Sequence, residues 1–182
     1  MTQRRMGDFR VGTGYDIHRL EKGLPLRLCG VTVESDFGAV GHSDADAALH
    51  ALCDAILGAL SLGDIGTLFP DDNPQYKDMD SRRLLEEVVC RMEEAGFLVE
   101  NADITIVLEQ PKLRQYVEAM RTEVAKILQV DEESVGVKAK TKEGLGPEGR
   151  GEAVSCQAVV LLRNRGYMPS WGSIGGLRDM FY

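Results

Sequence analysis

The stretch SDADAALHALCDAILGALSLG, residues 43–63, decides the fold. Ala45, Ala48, Leu49, Leu52, Ile56, Ala59 and Leu60 recur at intervals of three and four, so a helix is predicted over about residues 44–62. Ser43 stands where it can cap that helix, and Asp46 completes a capping-box-like pattern. Ahead of it, residues 9–15 read as a strand, and Leu26 to Val33, broken at Gly30, as a hairpin or bulged strand. Behind it, Asp80 or Ser81 caps a second helix to about Ala95, ended by Gly96, with Leu84, Leu85, Val88, Val89 and Met92 on its apolar face. A strand follows at about 102–109. Pro111 then opens a third helix with the stripe Leu113, Val117, Met120, Val124 and Ile127. Strands at about 135–141 and 153–162 complete the pattern. Strands and helices are interspersed without regular βαβ repeats, which favours an α+β single domain over a doubly wound α/β one.

Bulk properties narrow the function. The chain has 182 residues, 43% of them hydrophobic, enough for one compact core or one protomer of an oligomer. A net charge of -8 with no long basic run argues against nucleic acid and against an anionic membrane surface. No apolar run approaches the roughly 20 residues that span a bilayer. The basic start Met1–Met6 has no apolar stretch behind it and is not a secretory signal. Cys29, Cys53, Cys90 and Cys156 form no Cys-x-x-Cys pair, and the last three sit among aliphatic residues as small buried hydrophobes. A reducing, cytoplasmic compartment fits. Residues 1–8 read as an extension, 9–163 as the domain, and 164–182, which hold Trp171, as a disordered or loosely docked tail.

All three histidines lie before position 51. Asp16 and His18 are two apart near a strand end, and strand residues i and i+2 share a face. With His50 from the following helix they form a two-histidine, one-carboxylate set, a known ligand set for catalytic zinc. A lone histidine is more often a core or surface residue; it is the grouping that points to a metal. Asp46, four residues before His50, is placed to orient that imidazole from behind. His42 and Ser43 precede a helix N-terminus, where free N–H groups and the dipole suit a phosphate. Asp64, Ile65 and Gly66, with Phe69, Pro70, Asp71, Asp72 and Asn73, form a loop of turn residues that also permits close backbone approach to a ligand. Lys140, Thr141, Lys142 and Glu143 enter a second glycine-dense loop, where Thr141 can donate to a phosphate, Glu143 can hold a hard cation, and Arg150 can neutralise a phosphate. Ordinary strand-end and turn roles remain open for each of these alone. So do a metal-dependent hydrolase of a nucleotide diphosphate and a non-enzymatic metal-binding module.

Taken in order, several blocks resemble one family, the 2-C-methyl-D-erythritol 2,4-cyclodiphosphate synthases of the non-mevalonate isoprenoid pathway. They include Gly14–His18, Gly41–Asp46, Leu49–Ala51, Gly63–Gly66, Leu68–Asp71, Asp80–Arg82, Gln110–Lys112 and Gly149–Glu152. The resemblance implies an α+β protomer with a mixed sheet packed on helices in a ferredoxin-like arrangement. It implies a homotrimer with sites between subunits. It implies a phosphorus–oxygen lyase that turns 4-diphosphocytidyl-2-C-methyl-D-erythritol 2-phosphate into the cyclic 2,4-diphosphate and CMP. Zn²⁺ would sit on Asp16, His18 and His50, and Mg²⁺ or Mn²⁺ on the diphosphate near Glu143. His42 and Thr141 would stabilise the transition state. Ser43, Asp64 to Gly66 and Phe69 to Asn73 would contact the methylerythritol phosphate. Leu108, Pro111, Lys112, Lys140 and Lys142 would border the cytidine and its diphosphate. Two positions depart from the family pattern: Pro147 stands where many members carry an aromatic residue, and Glu109 where several are less charged.

Overall fold

The structure, a computed structural model, describes residues 8–70, 76 and 79–166. Strand β1 (Phe9–Lys22) pairs antiparallel with β7 (Ala153–Asn164) along most of its length and with β4 (Phe37–Ala39) at its end. Strand β5 (Phe97–Val107) lies antiparallel to β7, and β6 (Val135–Lys140) lies parallel to β5. The sheet therefore runs β4-β1-β7-β5-β6 and is mixed. Helix α4 (Val117–Leu128) is the crossover that the parallel β5–β6 pair requires. Strands β2 (Leu26–Leu28) and β3 (Val31–Val33) form a separate hairpin. Its turn residues Cys29 and Gly30 both have positive φ, the type I′ geometry that matches the strand twist.

Helix α1 (Ala47–Leu60) lies between the sheet and α3 (Ser81–Glu94). It buries eleven of its residues, as a helix apolar on nearly every side must. Its closeness to β1 comes from glycine. A Cβ on Gly12 would lie 1.8 Å from the Ala55 carbonyl oxygen, and one on Gly14 1.9 Å from that of Ala51. On β1 the even-numbered residues from Gly12 to Leu20 face inward, and Val11, Tyr15 and Ile17 face out. Two further short helices are α2 (Ile65–Leu68) and α5 (Gly146–Gly149). Among the described residues no helix is long and apolar enough to cross a membrane.

The α+β architecture with a mixed sheet on helices is as the sequence pattern indicates, and several local expectations change. The N-cap of α1 is Asp46, whose carboxylate accepts from the Leu49 amide, and Ser43 lies outside the helix. The third helix starts at Val117, because Leu113 drops into the core and the chain between it and Pro111 is a loop. Pro111 sets a turn there, its other common use. Strand β5 starts at Phe97, earlier than its alternation suggests, and β4 is too short to show a period. Cys90 is exposed: Val88 and Val89 precede it and Arg91 follows, and it falls off the buried stripe of α3. The segments 1–7 and 167–182, with Trp171, lie outside the described residues.

Candidate functional site

The β1 alternation turns Asp16 and His18 toward α1, and the glycine contacts bring α1 near enough for His50 to meet them. His18 Nε2 lies 2.9 Å from Asp16 Oδ2, His50 Nδ1 lies 3.0 Å from the same oxygen, and the two nitrogens are 3.2 Å apart. The three donor atoms thus converge on one point, a grouping able to hold a metal ion. The other Asp16 oxygen accepts from the Ile17 amide at 2.9 Å, which fixes the carboxylate plane. Burial pushes the Asp16 carboxyl up, but hydrogen bonds from both imidazoles outweigh it and hold the group well below the usual carboxylate range. Burial likewise opposes the charge on His18, and the Asp16 contact, aided by a hydrogen bond to the Val40 backbone, raises its pKa.

His50 is not oriented by Asp46. That carboxylate is fully buried and is used up by the amides of Cys29 at 2.9 Å, Gly30 at 2.6 Å and Leu49 at 3.1 Å, so it clamps the β2–β3 turn to the start of α1. Burial raises its pKa despite those bonds. The Nε2 of His50 instead meets Ser81 Oγ at 2.9 Å and Ser43 Oγ at 3.0 Å. Ser81 in turn donates to Asp44. Sequence reasoning gave Ser81 only a capping role, and no spacing rule links residue 81 to residue 50.

Asp16, His18, His42, Ser43, His50, Ile65, Gly66 and Phe69 line one cleft of about 270 Å³. Gly41, Tyr76 and Leu84 complete it, and the Phe69 and Tyr76 rings meet edge to face at 5.3 Å. Asp64 turns away, capping α2 by accepting from the Thr67 amide at 2.7 Å. Asp54, one turn beyond His50 on α1, anchors that loop by accepting from the Ile65 amide at 2.7 Å. Pro70 is exposed beside the cleft and does not line it. Asp71, Asp72 and Asn73 lie outside the described residues.

Leu108, Pro111, Lys112, Lys140 and Thr141 line a second cavity of about 340 Å³, with Arg114 and Val117. Thr141 Oγ1 donates to Glu143 at 2.9 Å. The Lys142 amide donates to Glu109 at 3.0 Å, which gives that departing residue a local role. Arg150 lines neither cavity and is bound twice to Glu152, at 3.0 and 2.9 Å. The two cavities are apart within the chain. Asp16 pairs with Cys156, Cys156 with Ile106 and Ile106 with Ala139, so three strand spacings separate them, about 14 Å at about 4.8 Å each.

Fold and site together define an α+β protein with a two-histidine, one-carboxylate centre at the floor of an open cleft. Residues 9–163 match the model of the YgbB family. A curated 2-C-methyl-D-erythritol 2,4-cyclodiphosphate synthase from Moorella thermoacetica is 54% identical over 156 residues, covering 86% of this chain and 96% of the relative. A solved 2C-methyl-D-erythritol-2,4-cyclodiphosphate synthase in its CDP-bound form superposes with a TM-score of 0.79 at 41% identity, over 84% of this chain and 99% of that one. The bifunctional IspDF of Campylobacter jejuni gives 0.83 at 39% identity over 86% of this chain, which spans only 42% of that longer protein. The chain belongs to the YgbB family.

Proposed function

We infer that this chain converts 4-diphosphocytidyl-2-C-methyl-D-erythritol 2-phosphate into 2-C-methyl-D-erythritol 2,4-cyclodiphosphate and CMP, as a phosphorus–oxygen lyase. The observation that carries this reading is the convergence of Asp16, His18 and His50 within a cleft that also holds His42, Ser43 and Gly66. An oxygen of the substrate's own 2-phosphate bonds to the β-phosphorus, the bond from that phosphorus to the bridging oxygen breaks, and CMP leaves with the electron pair. The nucleophile is already an anion, so no protein base is required. The protein has to fold the substrate back on itself and offset negative charge on the transferring group. From the cleft they line, His42 and Ser43 donate to phosphate oxygens, and Gly66 permits close backbone approach. Thr141 reaches the transferring group from the second cavity, where Leu108, Pro111 and Lys112 flank the cytidine and Lys140 its diphosphate, with Lys142, which follows Thr141 outside the cavity lining, completing the basic edge.

The donor set fits zinc. Donors around tetrahedral zinc with bonds of about 2.0–2.1 Å stand about 3.3 Å apart, and here the separations are 2.9, 3.0 and 3.2 Å. Bound there, Zn²⁺ supplies Lewis-acid polarisation of a phosphate oxygen. Glu143 offers a single exposed carboxylate, the donor set that Mg²⁺ or Mn²⁺ shares with substrate phosphates. A homotrimer with sites between subunits accounts for two further features. The first cleft is small for a complete ligand pocket, and Thr141 lies about three strands away in its own chain. The outer sheet face exposes the large apolar side chains of Val11, Tyr15, Ile17 and Val159 on two neighbouring strands, a feature of the kind that marks an interface. The four free cysteines suit a cytoplasmic location.

The test is mass-spectrometric turnover on metal-stripped protein in ¹⁸O-labelled water, with Zn²⁺ and Mg²⁺ restored separately and together. Equimolar CMP and unlabelled cyclic diphosphate are expected. Label in a phosphate product would make the chain a hydrolase, and intact substrate with folded, metal-loaded protein would refute catalysis. Sedimentation equilibrium giving the monomer mass would refute the trimer.

A further inference from the structure

We propose that Ser81 and Asp44 are positioning residues for the metal centre: Ser81 accepts a hydrogen bond from the Nε2–H of His50, which keeps the proton on Nε2 and reserves Nδ1 for the ion. The proposal rests on the metal reading of Asp16, His18 and His50 given above.

A serine hydroxyl has one proton, and a carboxylate only accepts. Ser81 donates its proton to Asp44 Oδ1. Toward His50 Nε2, 2.9 Å away, it therefore presents only lone pairs. Ser81 is fully buried, so water does not relieve a mismatch there. A bare Nε2 would set lone pair against lone pair, whereas a protonated Nε2 makes a good hydrogen bond. Ser43 Oγ, 3.0 Å from the same nitrogen, accepts from the Ala45 amide at 3.3 Å and keeps a second lone pair that can share the Nε2 proton. With its proton on Nε2, His50 coordinates through Nδ1, the atom that faces Asp16 and His18. Such outer partners set the tautomer and ring orientation of metal-bound histidines.

The arrangement is braced from both sides. The Asp44 amide donates to the Met79 carbonyl at 3.1 Å, which ties residue 44 to the segment leading into α3. Arg27 lies 3.7 Å from Asp44 Oδ2 and 3.8 Å from Asp80 Oδ2, balancing charge behind the relay. Helix capping explains neither residue. Asp80 caps α3 by accepting from the Arg82 amide at 3.0 Å, and Asp46 caps α1. Ser81 and Asp44 are thus polar groups committed to each other and to His50.

The experiment uses the full chain as wild type, Ser81→Ala, Ser81→Thr and Asp44→Asn. Zinc affinity is measured by competition with a chromophoric chelator, and the His50 Nε2–H proton is followed by NMR of zinc-loaded, ¹⁵N-histidine-labelled protein. Three histidines keep that spectrum assignable. Ser81→Ala is expected to weaken zinc binding about 10–100-fold, to move the Nε2–H resonance upfield and to speed its exchange with solvent. Ser81→Thr, which keeps the hydroxyl, restores both. Asp44→Asn, which can turn an NH₂ toward Ser81, shifts both in the same direction and stands in should Ser81→Ala fail to fold. A merely structural role would lower the melting temperature of the metal-free variants and leave affinity and resonance unchanged. Wild-type zinc affinity and an unmoved resonance in folded Ser81→Ala, with wild type loaded, overturn the relay alone. Wild-type protein that takes up no zinc overturns the metal reading and the relay with it.

Discussion

Replacing Gly14 by alanine tests whether strand–helix contact distance sets the metal centre. The added Cβ would lie 1.9 Å from the Ala51 carbonyl oxygen, where ordinary contact begins at 3.4 Å, so α1 and β1 must separate locally by about 1.5 Å. The obstacle is helix backbone, which has no rotamer to turn aside. Asp16 is two residues along the strand, and His50 precedes Ala51 on the helix. The separation therefore pulls the Asp16–His50 contact of 3.0 Å apart. Metal sites tolerate ligand displacements of about 0.2 Å, several times less than the shift required. Zinc affinity is expected to fall by well over tenfold, with turnover lost in parallel. Overpacking of this kind costs about 1–3 kcal/mol, and at about 2–4 °C per kcal/mol for a chain this size the metal-free melting temperature drops by roughly 2–12 °C. Gly12→Ala, facing Ala55 one turn further from His50, should cost similar stability with a smaller loss of zinc. Chelator competition and thermal denaturation read both quantities. Gly14→Ala protein with wild-type zinc affinity would refute the claim that this contact places the ligands.

Four other outcomes are expected. His42→Ala should lower kcat by at least about a hundredfold with zinc content unchanged, whereas a binding module would show no rate to lose. Asp46→Ala removes a helix cap worth about 1 kcal/mol and leaves the buried Cys29 and half-buried Gly30 amides unsatisfied at about 1–3 kcal/mol each, so thermal denaturation should show a loss of about 3–7 kcal/mol. Asp54→Ala frees the Ile65 amide and should raise KM more than it lowers kcat, seen in steady-state kinetics. In metal-free protein the His18 pKa is raised, so its contribution is present below the ordinary value of 6.5 and is lost as pH rises through the raised folded value. Melting temperature should accordingly fall as pH rises above the ordinary imidazole value of 6.5, with a flat profile there counting against the Asp16–His18 contact.

The parts of the site that were legible in sequence are those within one element or one turn of each other. Asp16 and His18 share a face because strands alternate, and the α1 period brings His50 inward. Ser43 as a cap and Asp46 as a partner of His50 were misplaced for one reason. The helix begins at Ala47, so residue 46 becomes the cap and its carboxylate is drawn to the Cys29 and Gly30 amides. Nothing local in Asp46 foretells a hairpin turn sixteen residues back. Ser81 escaped notice likewise, because its link to His50 exists only through α1–α3 packing. Arg150 was singled out for its charge, but Glu152 beside it satisfies that charge.

Strand β1 shows how one segment meets three demands that a simple burial rule would set in conflict. Its inward positions carry Gly12, Gly14, Asp16 and His18, and its outward ones Val11, Tyr15 and Ile17, the reverse of ordinary alternation. Glycine inside follows from the need to bring α1 to contact distance, because any larger residue would hold His50 away from its partners. Ligands inside follow from that same closeness. Once the inner face is spent on glycine and donors, the apolar bulk that a central strand carries can only face outward. Left in water, that face is a liability; covered by another copy of the chain, it restores the burial that β1 forgoes on its inner side. On this view the metal-binding grouping and the proposed trimer are two consequences of the same alternation. A charge at Tyr15 that breaks the oligomer should therefore leave zinc affinity nearly intact while abolishing turnover.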